Sequence, residues 1–192
     1  MRDPDRDIVK KAQKGDKSAF SELVNHYYEM VYALAMGILH NRESAKDLTQ
    51  DVFVKVYGNI NKFKGQSKFK TWLYRVAVNQ ALDQTRKKRP TESLDITEDE
   101  GVKPHVPVAN PAAGPRDEAA RQELKVVFRQ ALAELSPEHR AILVLREWQE
   151  LSYEEIAETL NLELGTVMSR IHYARKKLAE VLEKRSDLHL SL

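Results

Sequence analysis

Five of the chain's seven prolines (Pro90, Pro104, Pro107, Pro111 and Pro115) fall between residues 90 and 115, and no other feature constrains the fold as strongly. Proline cannot donate to a helix ladder, and the same stretch holds Gly101, Gly114 and the acids Glu92, Asp95, Glu98, Asp99 and Glu100, with no apolar periodicity to bury. The segment therefore reads as an extended, mobile linker. On each side of it the hydrophobic residues repeat at helical spacing, so the chain of 192 residues is expected to form two small all-α domains: residues 1–90, a linker at 91–116, and residues 117–192.

In the first half, Asp16 can cap a helix running from about Lys17 to Leu39, with Phe20, Leu23, Val24, Tyr27, Val31, Leu34, Ala35 and Ile38 on its apolar stripe. A second helix, about Glu43 to Tyr57, buries Ala45, Leu48, Val52 and Val56 and leaves Asp47, Gln50, Asp51 and Lys55 outside. After the polar turn Lys64-Gly-Gln-Ser67, a third runs from about Phe69 to Lys88 and buries Leu73, Val76 and Ala77. The second half opens with a helix over roughly Asp117 to Glu134. Ser136-Pro137-Glu138 then starts a helix over about 137 to 148, with a cap, a proline at the first position and an acid in the first turn. Ser152-Tyr-Glu-Glu155 has capping-box spacing and starts a short helix ending near Leu160. A tight turn leads to a last helix from about Thr166, with Val167, Ile171, Ala174, Leu178 and Val181 inward.

Charge is distributed unevenly. The whole chain has a formal charge of only +2, yet from Lys55 to Pro90 ten basic residues face the single acid Asp83. That block is an electrostatic footprint for a polyanion, unless it is merely a solvated face. It is interleaved with Phe63, Phe69, Trp72 and Tyr74, and cations that follow phosphate beside rings that stack on bases suit an unpaired strand. Trp72 and Tyr74 lie about 200° apart around a helix, so some of these rings must serve the core. In the last helix Thr166, Ser169, Arg170, Tyr173 and Lys177 mark the outer face of a helix-turn-helix unit, whose second helix fits a major groove; a hairpin with a solvated basic face is the alternative. Arg170 can pair with guanine, whereas Arg175, Lys176 and Lys177 are placed for phosphate.

Other chemistries are poorly served. There is no cysteine, which removes disulfides, thiolate metal sites and a cysteine nucleophile together. The six histidines are dispersed, and neither His-Glu-x-x-His nor a phosphate-cradling glycine loop occurs, so neither catalysis nor a cofactor or small-molecule substrate is expected. Asp47 and Asp51 at i, i+4 can ligate a cation or face water, but no histidine or further acid converges on them, and no metal site is expected. The longest apolar run, Met30 to Leu39, is ten residues, and the amino end alternates charge where a secretory signal needs an apolar core. A cytoplasmic protein is expected.

Residues 16 to 90, with Asp-Leu-Thr-Gln-Asp (47 to 51), Phe-Lys-Gly-Gln-Ser (63 to 67) and Thr-Trp-Leu-Tyr-Arg-Val-Ala-Val-Asn (71 to 79), resemble region 2 of the extracytoplasmic-function (ECF) sigma factors. Residues 121 to 183, with Leu-Ser-Pro-Glu-His-Arg (135 to 140), Leu-Ser-Tyr-Glu-Glu-Ile-Ala (151 to 157) and Gly-Thr-Val-Met-Ser-Arg-Ile (165 to 171), resemble region 4. The resemblance implies a promoter-specificity subunit of bacterial RNA polymerase. Asp47, Gln50 and Asp51 would dock on the beta-prime coiled coil of core, with further contacts to the beta subunit. Phe63, Lys64, Ser67, Lys68, Trp72, Arg75, Asn79, Arg86, Lys87 and Lys88 would melt and hold the minus-10 element. Of these, Phe63 and the turn through Ser67 would line a pocket for a flipped base that Asn79 helps to read. Thr166, Met168, Ser169, Arg170, Tyr173 and Lys177 would read the minus-35 element. An anti-sigma factor, often membrane-anchored in this family, is also implied. Family members often carry Arg or Lys where this chain has Met168 and Arg where it has Tyr173, which predicts an altered minus-35 preference. Primary sigma factors have a tryptophan pair where Trp72 stands alone, so melting is expected to need a strict minus-10 match. The acidic tether replaces the structured linker of those larger factors and is expected to run through the RNA-exit path of core. Without the resemblance, a repressor that occupies an operator alone and a protein-binding adaptor remain the rivals.

Overall fold

A computed structural model describes residues 3–88 and 127–189 of the chain, so the expected linker 91–116 and the start of the helix expected from Asp117 lie outside the described residues. The described residues contain helices and no strand, and the fold is all-α. The first half has α1 (Arg6–Gln13), α2 (Lys17–Leu39), α3 (Arg42–Asn59), a 3-10 turn (Ile60–Lys62) and α4 (Phe69–Lys88). The second has α5, described over 127–133, then α6 (Pro137–Leu143), a π-helical turn (Val144–Trp148), α7 (Tyr153–Leu160) and α8 (Leu164–His189).

Local chemistry sets most of these boundaries. The Asp16 carboxylate accepts from the amides of Ser18 and Ala19 and starts α2, and Asn41 accepts from Ser44 at 2.8 Å and starts α3. Between them His40 closes α2 in the left-handed conformation, with φ 54°. Ser136 caps α6 through the His139 amide with Pro137 in its first turn, and Ser152 and Glu155 form both bonds of the capping box on α7. Gly65, at φ +69°, lets the chain turn between the 3-10 segment and α4. Two elements differ from expectation. α1 has no counterpart in the helices expected from the sequence. The helix expected over 137–148 leaves α geometry at Val144, where Gln149 N–H reaches back five residues to the Val144 carbonyl.

The two halves share one buried cluster. Leu23, Val31, Leu34 and Ile38 of α2, Leu48 and Val52 of α3, and Phe69 and Leu73 of α4 join Leu132, Ile142, Leu145, Ile156 and Ile171 from the second half. α2 packs on α6 and on the π turn, and α4 packs on α7. Gly37 marks the closest approach, because a Cβ there would sit 2.4 Å from Cζ3 of Trp148 and 2.8 Å from Cγ2 of Val144. Arg140 crosses the same seam. Its buried guanidinium donates to the carbonyls of Ile38 (2.5 Å), Leu132 (3.0 Å), Ala133 (2.8 Å) and Leu135 (3.0 Å) at the ends of α2 and α5, where intrahelical donors run out; the Leu132 carbonyl also accepts from the Leu135 amide.

Candidate nucleic-acid interface

α7, a short turn and α8 form the helix-turn-helix unit. Asn161 ends α7 in the left-handed conformation, and Leu164 opens α8 two residues before the expected start. Ile156 on α7 and Val167, Ile171 and Ala174 on α8 are buried, which fixes the rotation of α8 and turns the opposite arc outward. At 3.6 residues per turn that arc is flanked by Met168 on one side and Thr166 and Tyr173 on the other, with Ser169, His172 and Lys176 between. Met168 is 53% and Tyr173 62% exposed, large apolar surfaces that the fold leaves to solvent. Thr166 and Arg170 are half-buried at the border of the arc. The Ser169 hydroxyl donates to the Thr166 carbonyl, and Lys177 pairs with Glu180 at 3.2 Å. Arg175, expected near phosphate, is instead held by Glu147 through contacts of 3.0 and 2.6 Å. His172 was not among the expected contact residues, although its spacing from Met168 and Ser169 places it on the same arc.

The acidic face of α3 is exposed as the spacing requires. Asp47, Gln50 and Asp51 all face solvent, while Ala45, Leu48, Val52 and Val56 are buried behind them. Val54 continues this ridge at i+3 from Asp51 and is 72% exposed, an apolar residue that sequence reasoning passed over. Only its departure from the buried stripe could have shown it.

On α4 and the turn before it the expected residues divide. Phe69 and Tyr74 are core rings, and the Tyr74 hydroxyl donates to Oε1 of Gln149 at 2.9 Å; burial pushes its pKa well above the ordinary phenol range. Phe63 is 9% exposed, edge-on to Phe69 and tilted against Trp72, and Trp72 itself is half-buried. Lys64, Asn79 and Lys87 are exposed and Ser67 is half-buried; Lys88 ends α4, with its side chain outside the described residues. Three cations of the set face the second half. Lys68 pairs with Glu155 at 3.4 Å, Arg75 Nη2 donates to the Glu158 carbonyl at 2.6 Å, and Arg86 lies 3.7 Å from Glu138. The Glu155 carboxylate is held below its ordinary range, first by the Ser152 amide and then by Lys68.

Helices that bury a common core while presenting a helix-turn-helix arc, an acidic ridge and a cationic edge define an all-helical protein built to bind macromolecules. Sigma-70 region 2 matches residues 23–91 and Sigma-70 region 4 matches residues 125–178. The ECF RNA polymerase sigma factor SigW of Bacillus subtilis is 36% identical over 176 residues, 91% of this chain and 94% of the relative. The ECF RNA polymerase sigma-E factor of Escherichia coli K12 is 33% identical over 177 residues, 91% of this chain and 92% of that one. Among solved structures, CnrH in complex with the cytosolic domain of CnrY superposes with a TM-score of 0.68 at 26% identity, covering 94% of this chain and 97% of that chain. The chain belongs to the ECF RNA polymerase sigma factors. It is thus a transcription initiation factor, which binds RNA polymerase core and promoter DNA, and not an enzyme. No helix among the described residues is long and apolar enough to cross a membrane.

Proposed function

We propose that the three surfaces divide the work of initiation. Residues 1–90 form the unit that joins core and holds the melted minus-10 strand, residues 117–192 read the minus-35 duplex, and 91–116 tether the two. Asp47, Gln50 and Asp51, with Val54 beside them, dock on the beta-prime coiled coil, where acids pair with basic residues and the apolar side chain is desolvated. Phe63, Lys64, Ser67, Lys68, Trp72, Arg75, Asn79, Arg86, Lys87 and Lys88 hold the separated minus-10 strand. Thr166, Met168, Ser169, Arg170, Tyr173 and Lys177 contact the minus-35 element, and Met168 offers an apolar surface to a thymine methyl where a cation would favour guanine. The protein acts in the cytoplasm under an anti-sigma factor. Supporting that control, CnrH, alike over both halves, was solved with the cytosolic domain of CnrY.

The observation that carries the core-docking assignment is the exposure of all three α3 residues beside a 72%-exposed valine, on a helix whose opposite face is buried. Run-off transcription with purified core on a genomic promoter library tests it. Wild type is expected to initiate at a discrete set of promoters, and Asp51→Arg to lose at least tenfold in initiation, about 1.4 kcal/mol, at unchanged helicity. Normal initiation by Asp51→Arg removes the docking assignment; no specific initiation by wild type removes the whole division of labour.

A further inference from the structure

α1 lies against the turn that leads into α4. Gln13 Nε2 donates to the carbonyls of Ile60 (2.9 Å) and Phe63 (2.8 Å), and the Phe69 amide donates to Oδ2 of Asp3 (2.9 Å). Both ends of the 63–69 segment are therefore tied to the first thirteen residues. Between the ties opens a cavity of about 470 Å³, with Arg6, Lys10 and Gln13 on one wall and Phe63, Lys64 and Lys68 on the other. Arg6 and Lys10 are exposed and one helical turn apart, so both cations lie on the cavity side of α1. The carboxylate at the cavity, Asp3, already accepts from a backbone amide.

A chamber of this size, with an aromatic ring in its lining and cations on both walls, has the chemistry of a single extruded nucleotide with its flanking phosphates. We infer that α1 is the second wall of the minus-10 nucleotide site: Arg6 and Lys10 grip the phosphates beside the base that the 63–67 turn holds, and Gln13 is a positioning residue that sets the turn's height above α1. The inference rests on the reading of that turn as the holder of an unpaired base.

The test uses full-length protein with core and a promoter taken from the run-off library. Its non-template strand carries 2-aminopurine at each minus-10 position in turn, and affinity for the single-stranded minus-10 oligonucleotide is measured across a salt series. Wild type is expected to brighten the probe at one position, the signature of an unstacked base. Arg6→Ala/Lys10→Ala is expected to flatten the dependence of log affinity on log salt by roughly 1.4, two phosphates at about 0.7 each, whereas Arg6→Lys/Lys10→Arg keeps the wild-type slope. Both positions are exposed, so thermal unfolding should match wild type. If the probe brightens but the double alanine variant keeps the wild-type slope, α1 is no part of the site and the base reading stands. If no position brightens in wild type, the base reading falls and the inference with it.

Discussion

His40 is the residue whose protonation the fold opposes most clearly. Its ring is half-buried at the left-handed end of α2, its Nε2 is shielded from solvent with no hydrogen-bond partner among the described residues, and desolvation, then the charges of Arg140 and Arg129, lower its pKa from 6.5 to about 3. Between those values the unfolded chain binds a proton that the folded chain refuses. Stability from this residue is therefore complete above pH 6.5 and drains as the pH falls towards 3, by up to about 1.4 kcal/mol per pH unit. His40→Asn keeps a side chain that tolerates the left-handed conformation and removes the titration. Urea midpoints measured between pH 7 and 4 should fall more steeply for wild type than for the variant; parallel curves would mean that the ring takes its proton without cost. Caps such as Asp16, Ser136 and the Ser152–Glu155 pair were legible in the sequence because donor and acceptor lie within three residues. Nothing local to His40 announces its environment, since Arg140 reaches it only through the tertiary fold.

At the scale of elements, Arg140 joins the ends of two helices that are distant in sequence. Ile38 lies 102 residues from it, and the other three carbonyls it serves close α5 and the turn that follows. Arg140→Met would leave those carbonyls buried without their charged donor, at a cost of about 3 kcal/mol. Arg140→Lys should restore little, because an ammonium cannot span four acceptors with one planar fork. The check is a shift in urea midpoint at constant m-value; equal stability of the methionine variant would show that water replaces the guanidinium. The long helices α2 and α4 were legible to the residue, because their apolar stripes persist over more than three turns. α1 was not: it is eight residues long and buries only Val9 and Ala12. The π turn escaped for another reason, since side-chain periodicity cannot register a widening that the backbone makes to pack Val144 and Trp148 onto Gly37. The exposure of Asp47, Gln50 and Asp51 was legible from helical spacing, whereas the roles proposed for the charged residues came from the family resemblance. The division of the rings between core and surface was not legible, because Phe69, Tyr74 and Trp72 differ only in which neighbour the tertiary fold sets beside them.

At the scale of the whole molecule, the packing of the two halves conflicts with simultaneous use of both DNA surfaces. The minus-35 and minus-10 elements are separated by roughly 25 base pairs, about 85 Å at 3.4 Å each, whereas a compact chain of this length is roughly 40 Å across. Lys68, Arg75 and Arg86, proposed for the minus-10 strand, are meanwhile occupied by Glu155, the Glu158 carbonyl and Glu138 of the other half. On the proposed assignment the Glu155 carboxylate, the Glu158 carbonyl and the Glu138 carboxylate of α6 stand where phosphate would, so DNA and the second half would compete for the same cations. If both proposed DNA surfaces act together, initiation requires the seam at Gly37 and Trp148 to open, with binding energy from core and promoter offsetting the loss of shared apolar burial. Because the chain has no cysteine, Glu22→Cys in α2 and Glu183→Cys in α8 accept a donor and an acceptor dye without background labelling. Energy transfer should be high in the free protein and fall on addition of core and promoter. Gly37→Val, whose side chain collides with Trp148, and Glu155→Lys, which repels Lys68, should lower transfer before any partner is added. Transfer that stays high in a complex shown to initiate would mean that the halves remain docked on the promoter, and that Lys68, Arg75 and Arg86 never touch DNA.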